Sequence, residues 1–245
     1  MEFRTTPPTP RSAIKIVFGS NLPDVDRVTL GKMHHPVRGF LHGTAALLAV
    51  AGMIVLAVQT SSDLPRMFTM IVFGGSMVAL FTTSSLYHSV PWTDRWKKRM
   101  QRFDHSMIFL LVAGTYTPIA FNVLFDAWKW VTLGVVWAIA IIGILQKMFF
   151  PKVGNWLSMT LYMVMGWFAI VPVRELFDRL PFEAAMLLIV GGACYSVGMI
   201  LLVTKRPRLF PRIFSYHEVF HVLVISGSLL HFLMILIYVA PIERL

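Results

Sequence analysis

The chain has 245 residues, of which 56% are hydrophobic and 14% charged, and its formal net charge is +10. A soluble domain of this length carries about 25% charged residues, so the composition excludes an ordinary soluble protein and indicates one membrane domain. The positive charge does not indicate a nucleic-acid partner, because the basic residues lie between apolar segments and leave no basic helix for such a site. Membrane lipids are the expected partners, and no nucleic acid is expected. The single cysteine, Cys194, lies in an apolar run and excludes an internal disulfide or a cysteine-based metal site.

The polar N-terminal stretch, residues 1–36, contains five prolines. Its only early apolar run, residues 13–18, is split by Lys15 and is too short for the core of a signal peptide. We therefore predict a disordered cytoplasmic tail over residues 1–36, followed by a transmembrane domain over residues 37–245.

Seven apolar segments follow the tail, and each is close to the roughly 20 residues that a bilayer-spanning helix needs. They cover residues 39–58, 67–87, 106–125, 128–148, 156–173, 184–203 and 216–239. The connections are too short for a soluble domain. The predicted fold class is an all-α membrane protein with seven transmembrane helices.

Loop charge predicts the orientation of these helices. With the N-terminus in the cytoplasm, all but five of the 22 Lys and Arg residues fall on the cytoplasmic side. Basic residues are enriched in the cytoplasmic loops of membrane proteins. We therefore expect a cytoplasmic N-terminus and a C-terminus outside.

The last apolar segment begins with two histidines, His217 and His221. On a helix, residues i and i+4 lie about 40° apart and about 6 Å along the axis, so both imidazoles project from one face. A shared metal ion requires this arrangement. Ionisable side chains inside a membrane helix are costly and therefore commonly functional. Two core histidines bonded to backbone carbonyls remain the alternative interpretation of this pair.

The predicted topology brings more polar residues to the same depth. The second segment runs inward and ends with Ser84 and His88, and the third begins with Asp104 at the face where His217 and His221 begin the seventh. Three histidines suit Zn²⁺, and three protein ligands leave a fourth position for water, as in catalytic zinc sites. The sequence therefore predicts a zinc site formed by His88, His217 and His221.

Asp104 and Ser84 are the predicted catalytic residues at this site. Asp104 would hydrogen-bond the water at the open position and take its proton, and Ser84, one turn from His88, would contact a reacting carbonyl oxygen. Structural alternatives stay open for each of them. Asp104 can cap the third helix, Ser84 can be a small residue at a helix contact, and His88 can reach interfacial water.

Three histidines in or beside the apolar segments are not predicted ligands. His231 is about 15 Å along the helix from His221 and is expected to be a core hydrogen-bonding residue. His105 points about 100° away from Asp104. His42, near the cytoplasmic end of the first segment, is a candidate to support one of the ligands.

The run His217-Glu218-Val219-Phe220-His221 also matches the H-E-x-x-H pattern of metalloproteases, in which the Glu is the general base. An intramembrane metalloprotease is therefore an alternative function. It does not explain why His88 and Asp104 lie at the same depth, so we expect Glu218 to face away from the metal.

Four motifs together resemble the hemolysin III family, which is related to the progestin and adiponectin receptors and, more distantly, to the alkaline ceramidases. They are Ser84-x3-His88, Arg102-Phe-Asp104-His105, Gly114-Thr-Tyr-Thr-Pro118 and His217-x3-His221. The resemblance covers nearly all of the chain from about Pro36 onward and is strongest to actinobacterial members. It implies seven helices with the N-terminus inside, zinc held by His88, His217 and His221, and Asp104 in contact with the water at the zinc.

The resemblance also implies a multi-pass protein of the bacterial cytoplasmic membrane. It does not extend to the site residues of the first helix. Many relatives carry an acidic residue and an Asn there, whereas this chain has Arg38-Gly-Phe-Leu-His42.

Three function classes follow from these observations. The first is a zinc-dependent lipid hydrolase in membrane lipid homeostasis, acting on an amide bond as the ceramidase resemblance implies, with its substrate between the helices. The second is a lipid-sensing regulator of membrane fluidity whose zinc is structural. The third is a pore-forming cytolysin, which is disfavoured because no polar stripe runs through several segments to line a water-filled pore. The first class is the function that we predict, and the second differs from it only in whether the metal is catalytic.

Overall fold

A computed structural model describes residues 35–150, 155–210 and 214–242, and the described part is predominantly helical. Its helices are α1 (Pro36–Gln59), α2 (Leu64–Ser89), α3 (Asp94–Val123), α4 (Asp126–Phe149), α5 (Asn155–Gly166), α6 (Val173–Arg179), α7 (Phe182–Thr204) and α8 (Tyr216–Met234). A 3-10 helix, Trp167–Ile170, lies between α5 and α6, and a π-helical turn, Ile235–Val239, extends α8.

Six of the described helices, α1 to α4, α7 and α8, are long and apolar enough to cross a bilayer. A seventh candidate span consists of α5, the 3-10 helix and α6, which together are apolar enough but bend by 50°. Pro172 lies at this break, where its missing N–H prevents the helical hydrogen bonds from continuing. The predicted all-α membrane fold is confirmed, with six or seven candidate spans, and the assignment of its two faces to cytoplasm and exterior stays a prediction.

Helix α3 begins well before residue 106, where the apolar pattern starts. Its first turns carry Arg95, Lys97, Lys98 and other charged side chains, which lower the local hydropathy but are good helix formers. Thr93 occupies the N-cap position. The interpretation of Asp104 as a helix cap is therefore wrong, because Asp104 lies inside the helix.

Most of the predicted disordered tail, residues 1–36, lies outside the described residues. The structure describes only His35 and Pro36 of it, and Pro36 is the first residue of α1. Proline is favoured at this position because a backbone N–H in the first turn has no acceptor within the helix, so its absence in proline costs nothing.

The first four helices pack against one another in chain order, α7 packs against α8, and α8 returns to contact α1. Close approach of α2 and α3 depends on Gly114, since a Cβ there would overlap the Ser76 side chain. The apolar side chains of α1 remain largely exposed, including Leu47 and Leu48, as expected of a helix that faces lipid. The arrangement places the C-terminal end of α2, the early turns of α3 and the N-terminal end of α8 side by side.

Candidate metal centre and adjoining cavity

Three histidines from two helices converge at this end of the bundle. His88 comes from the last turn of α2, and His217 and His221 come from the first turns of α8. Each offers one ring nitrogen, and the three nitrogens lie within 4.8 Å of one another. Zinc–nitrogen bonds of about 2.0–2.1 Å place the nitrogens of a tetrahedral site roughly 3.4 Å apart. A small movement of the three side chains towards one another would therefore bring their nitrogens to zinc-binding distance. The three predicted ligands therefore form a group that can hold a metal ion.

The hydrogen bonds of His221 fit a metal ligand. Its Nδ1 atom lies 2.7 Å from Nε2 of His42, and both side chains are buried. Its Nε2 atom is buried and has no hydrogen-bond partner among the described residues. A buried polar atom without a partner is costly, and a metal ion at Nε2 would satisfy it. Metal-ligating histidines characteristically bond a second group through their other ring nitrogen, the position that His42 occupies here.

Asp104 and Ser84 adjoin the histidine cluster. Ser84 lies one turn before His88 on α2, and both Ser84 and Asp104 are buried. Both side chains line the same cavity as the three histidines. The structure therefore brings the two residues predicted to be catalytic to one site, while their catalytic roles stay predictions.

Glu218 has two structural partners at the start of α8. One carboxylate oxygen accepts a hydrogen bond from Nε of Arg38 at 2.6 Å, and the other accepts from the backbone N–H of Ser215 at 2.8 Å. Ser215 and Glu218 form a capping box, which satisfies backbone N–H groups at the helix end. Glu218 thus joins α8 to α1, and this position does not suit the general base of a metalloprotease.

A cavity of about 490 Å³ begins at the histidine cluster and extends between α3 and the α5–α8 half of the bundle. Ser84, His88, Asp104, His217 and His221 line one end of it. The lining residues of α3 run from Gln101 to Ala120, which is about 30 Å of helix. Most of the other lining side chains are apolar. The candidate metal centre therefore opens into a long apolar space inside the membrane domain.

The other histidines have distinct positions. His105 lines the cavity, but it is not part of the group of potential metal ligands. His231 bonds the Leu188 carbonyl, as expected of a core hydrogen-bonding residue. His42 contacts His221, as a residue that supports one of the proposed ligands must. The sequence gave only a general signal for this role, namely a histidine within an apolar span.

Residues 31–232 match the sequence model of a protein family described as haemolysin-III related. The chain belongs to the haemolysin-III related family. Two relatives support this assignment. The chain is 34% identical to the Hemolysin-3 protein of Bacillus cereus over 202 residues, which cover 82% of this chain and 89% of the relative. It is also 34% identical to the Hemolysin-3 homolog of Bacillus subtilis (strain 168) over 199 residues, which cover 80% of this chain and 90% of the relative.

A more distant similarity links this haemolysin-III related protein to animal proteins. The chain is 21% identical to the human monocyte to macrophage differentiation factor over 206 residues, or 81% of each chain. The predicted family is confirmed, and the likeness to actinobacterial members stays a prediction. Together with its apolar helices, family membership makes this chain a multi-pass protein of the bacterial cell membrane.

Proposed function

We propose that this haemolysin-III related protein is a zinc-dependent hydrolase of lipid amides. One observation carries the proposal: the three histidines and Asp104 together line one end of a long apolar cavity. An amphiphilic substrate fits this arrangement, because its hydrocarbon chain is stabilised by the apolar lining while its polar linkage lies beside the histidines.

His88, His217 and His221 would hold the zinc ion. Imidazole is a preferred zinc ligand, and three neutral imidazoles leave the ion its full charge and an open coordination position. The partnerless Nε2 atom of His221 supports this assignment. When bound, the zinc supplies Lewis acidity that activates a water for attack at neutral pH.

Asp104 is the proposed proton acceptor. Its carboxylate orients the attacking water and takes the proton that the water loses as the new C–O bond forms. Asp104 then returns this proton to the amide nitrogen while the C–N bond breaks. The products are a fatty acid and an amine. Ser84 lines the same cavity, and its hydroxyl would donate a hydrogen bond to the developing oxyanion.

The acyl chain would lie along the α3 face that lines the cavity. The available space, about 490 Å³, is within the range of small-molecule binding sites. The length of this face, about 30 Å by helical rise, accommodates a chain in an extended conformation.

The second candidate is a lipid sensor in which the same histidines hold a structural zinc. The apolar cavity favours it equally, since a lipid ligand and a lipid substrate occupy the same space. The names of the Bacillus relatives refer to haemolysis, but the apolar lining of the cavity gives no support to a water-filled pore. The intramembrane protease has the least support, because both carboxylate oxygens of Glu218 accept hydrogen bonds, from Arg38 and from the backbone of Ser215. Glu218 is therefore not placed to act as a general base.

Turnover by purified protein tests the proposal against the lipid-sensor alternative. Zinc-loaded protein in nanodiscs is incubated with a panel of N-acyl amides, and released fatty acid is measured by mass spectrometry. We expect Asp104→Asn to keep its metal and lose turnover by about 100-fold or more, the range for removing a general base. Asp94→Asn, an exposed position on the same helix, is the matched control and should leave turnover unchanged. Fatty-acid release from the wild type no greater than from Asp104→Asn would favour the sensor.

Metal analysis tests the ligand set separately from activity. We expect purified wild-type protein to contain about one zinc per chain and His88→Ala to contain much less, because two histidines bind zinc weakly. Equal zinc content in the two proteins would contradict the assignment of His88.

A further inference from the structure

A second cavity, of about 70 Å³, lies against the histidine cluster at the end of the helix bundle. We call it the crevice. It lies where α1 begins, α2 ends and α3 begins, and its polar lining comes from His35, Arg38, Tyr87, His88, Lys97 and His217. Tyr87, His88 and His217 line the large cavity as well. These three side chains therefore separate the apolar cavity from the crevice, and a molecule cleaved at the histidines has space on both sides.

The charged side chains of the crevice favour an anion. Lys97 and Arg38 are its cations, and Glu218 neutralises Arg38 through their ion pair. No carboxylate is among the lining residues that the structure describes, since Asp104 lines only the large cavity. Lys97 thus leaves the crevice with a net positive charge next to the histidine cluster. A half-buried charge of this kind is less screened than one on an open surface.

The size of the crevice limits what can bind there. A water molecule takes up about 30 Å³ in the liquid, so roughly two waters fill a space of this volume. A carboxylate or a phosphate is of comparable size, whereas a sugar or a nucleotide is much larger. The crevice therefore suits a compact anionic group.

We propose that the crevice binds the compact anionic head group of the lipid, with Lys97 as the residue that determines this preference. The inference rests on the proposed function, because it places the acyl chain in the large cavity and the amide bond at the histidines. The substrate class is then an N-acyl compound whose amine part carries a carboxylate or a phosphate. After cleavage, the anionic amine occupies the crevice, and the fatty acid remains in the membrane domain.

Lipid binding tests the head-group site without requiring turnover. Full-length, zinc-loaded protein in nanodiscs of zwitterionic phosphatidylcholine is titrated with N-palmitoylglycine and with N-palmitoylethanolamine. The two lipids share the acyl chain and the amide, and only the first has a negatively charged head group. We expect wild-type protein to bind N-palmitoylglycine about tenfold more tightly, as is typical of one hydrogen bond to a charged group.

Lys97→Ala should abolish this preference while retaining the affinity for N-palmitoylethanolamine, which also shows that the variant is folded. Lys98→Ala removes the same charge from the neighbouring exposed position, outside the crevice lining, and should keep the preference. Equal affinities in the wild type, or a preference that persists in Lys97→Ala, would overturn the head-group site. Failure of both lipids to bind would contradict the acyl cavity of the proposed function instead.

A free anion is the other source of the same chemistry. Inorganic phosphate is therefore added to the wild type and to Lys97→Ala, and the thermal stability of each is measured. If phosphate stabilises only the wild type and the two lipids bind it equally, the crevice holds a soluble anion, and the head-group proposal is overturned. The lipid preference of the wild type, lost in Lys97→Ala, is the result that supports it.

Discussion

Replacing His42 by leucine should weaken zinc binding although His42 is not one of the proposed ligands. If zinc binds Nε2 of His221, the Nδ1 atom of that ring must carry the proton and donate it to Nε2 of His42 at 2.7 Å. Both side chains are almost completely buried, with 3% and 2% of their surfaces exposed. His42→Leu therefore leaves a buried N–H without an acceptor in the zinc-bound state. The same substitution costs the metal-free protein less, because without zinc the His221 ring is a weaker donor and is not fixed in one tautomer and orientation.

The magnitude follows from that unsatisfied donor. A buried polar group that loses its partner costs about 1–3 kcal/mol. Each 1.4 kcal/mol changes an equilibrium constant about tenfold, so the zinc affinity should fall by about 5- to 150-fold. Loss of the partner of a metal-ligating histidine typically costs about 10- to 100-fold in affinity, which agrees with this range.

Competition against a zinc-binding dye measures the affinity of each purified variant. His42→Gln should recover part of the loss, because its side-chain carbonyl can accept the same hydrogen bond. His231→Leu is the control: it also removes a buried histidine from a span, but at a position about 15 Å along α8 from His221. An unchanged zinc affinity in His42→Leu, or an equal loss in His231→Leu, would refute the reasoning.

Three further predictions concern the fold and the start of α8. Glu218→Gln should retain zinc but lower the free energy of unfolding by about 1–3 kcal/mol, since it weakens the bond to Arg38 and the helix cap; loss of activity equal to that of a general-base variant, with unchanged thermal stability, would contradict this. Gly143→Ala should lower thermal stability, because its Cβ would overlap the fully buried ring of Phe109, whereas Gly134→Ala has open space and should not. A reporter fused to the C-terminus should be active only outside the cytoplasm, and activity inside would reverse the predicted orientation.

The sequence alone determined the features that depend on local pattern. Hydropathy located the six unbroken spans and the bent candidate span because the hydrocarbon core of a bilayer requires about 20 apolar residues per crossing. Helical periodicity placed His217 and His221 on one face. The alternation of span direction then predicted that His88 and Asp104 lie at the same depth, and the structure does bring His88, His217 and His221 together.

The ends of the helices were less predictable, because hydropathy indicates where a helix contacts lipid and not where the helix begins. The charged first turns of α3 are helical without being apolar, and Asp104 therefore lies inside a helix whose start the apolar pattern misses. In the fifth span, apolar residues continue through the break near Pro172, so hydropathy gave no sign of the 50° bend.

Only the tertiary structure decided which residues from distant helices meet. His42 and His221 are 179 positions apart, and Arg38 and Glu218 are 180 apart, so no local periodicity relates them. The same is true of the large cavity and the crevice, which are spaces left between helices and have no signature in any one segment. Pairing, cavity shape and local charge arise from how the helix faces pack together, and packing depends on side-chain volumes throughout the bundle.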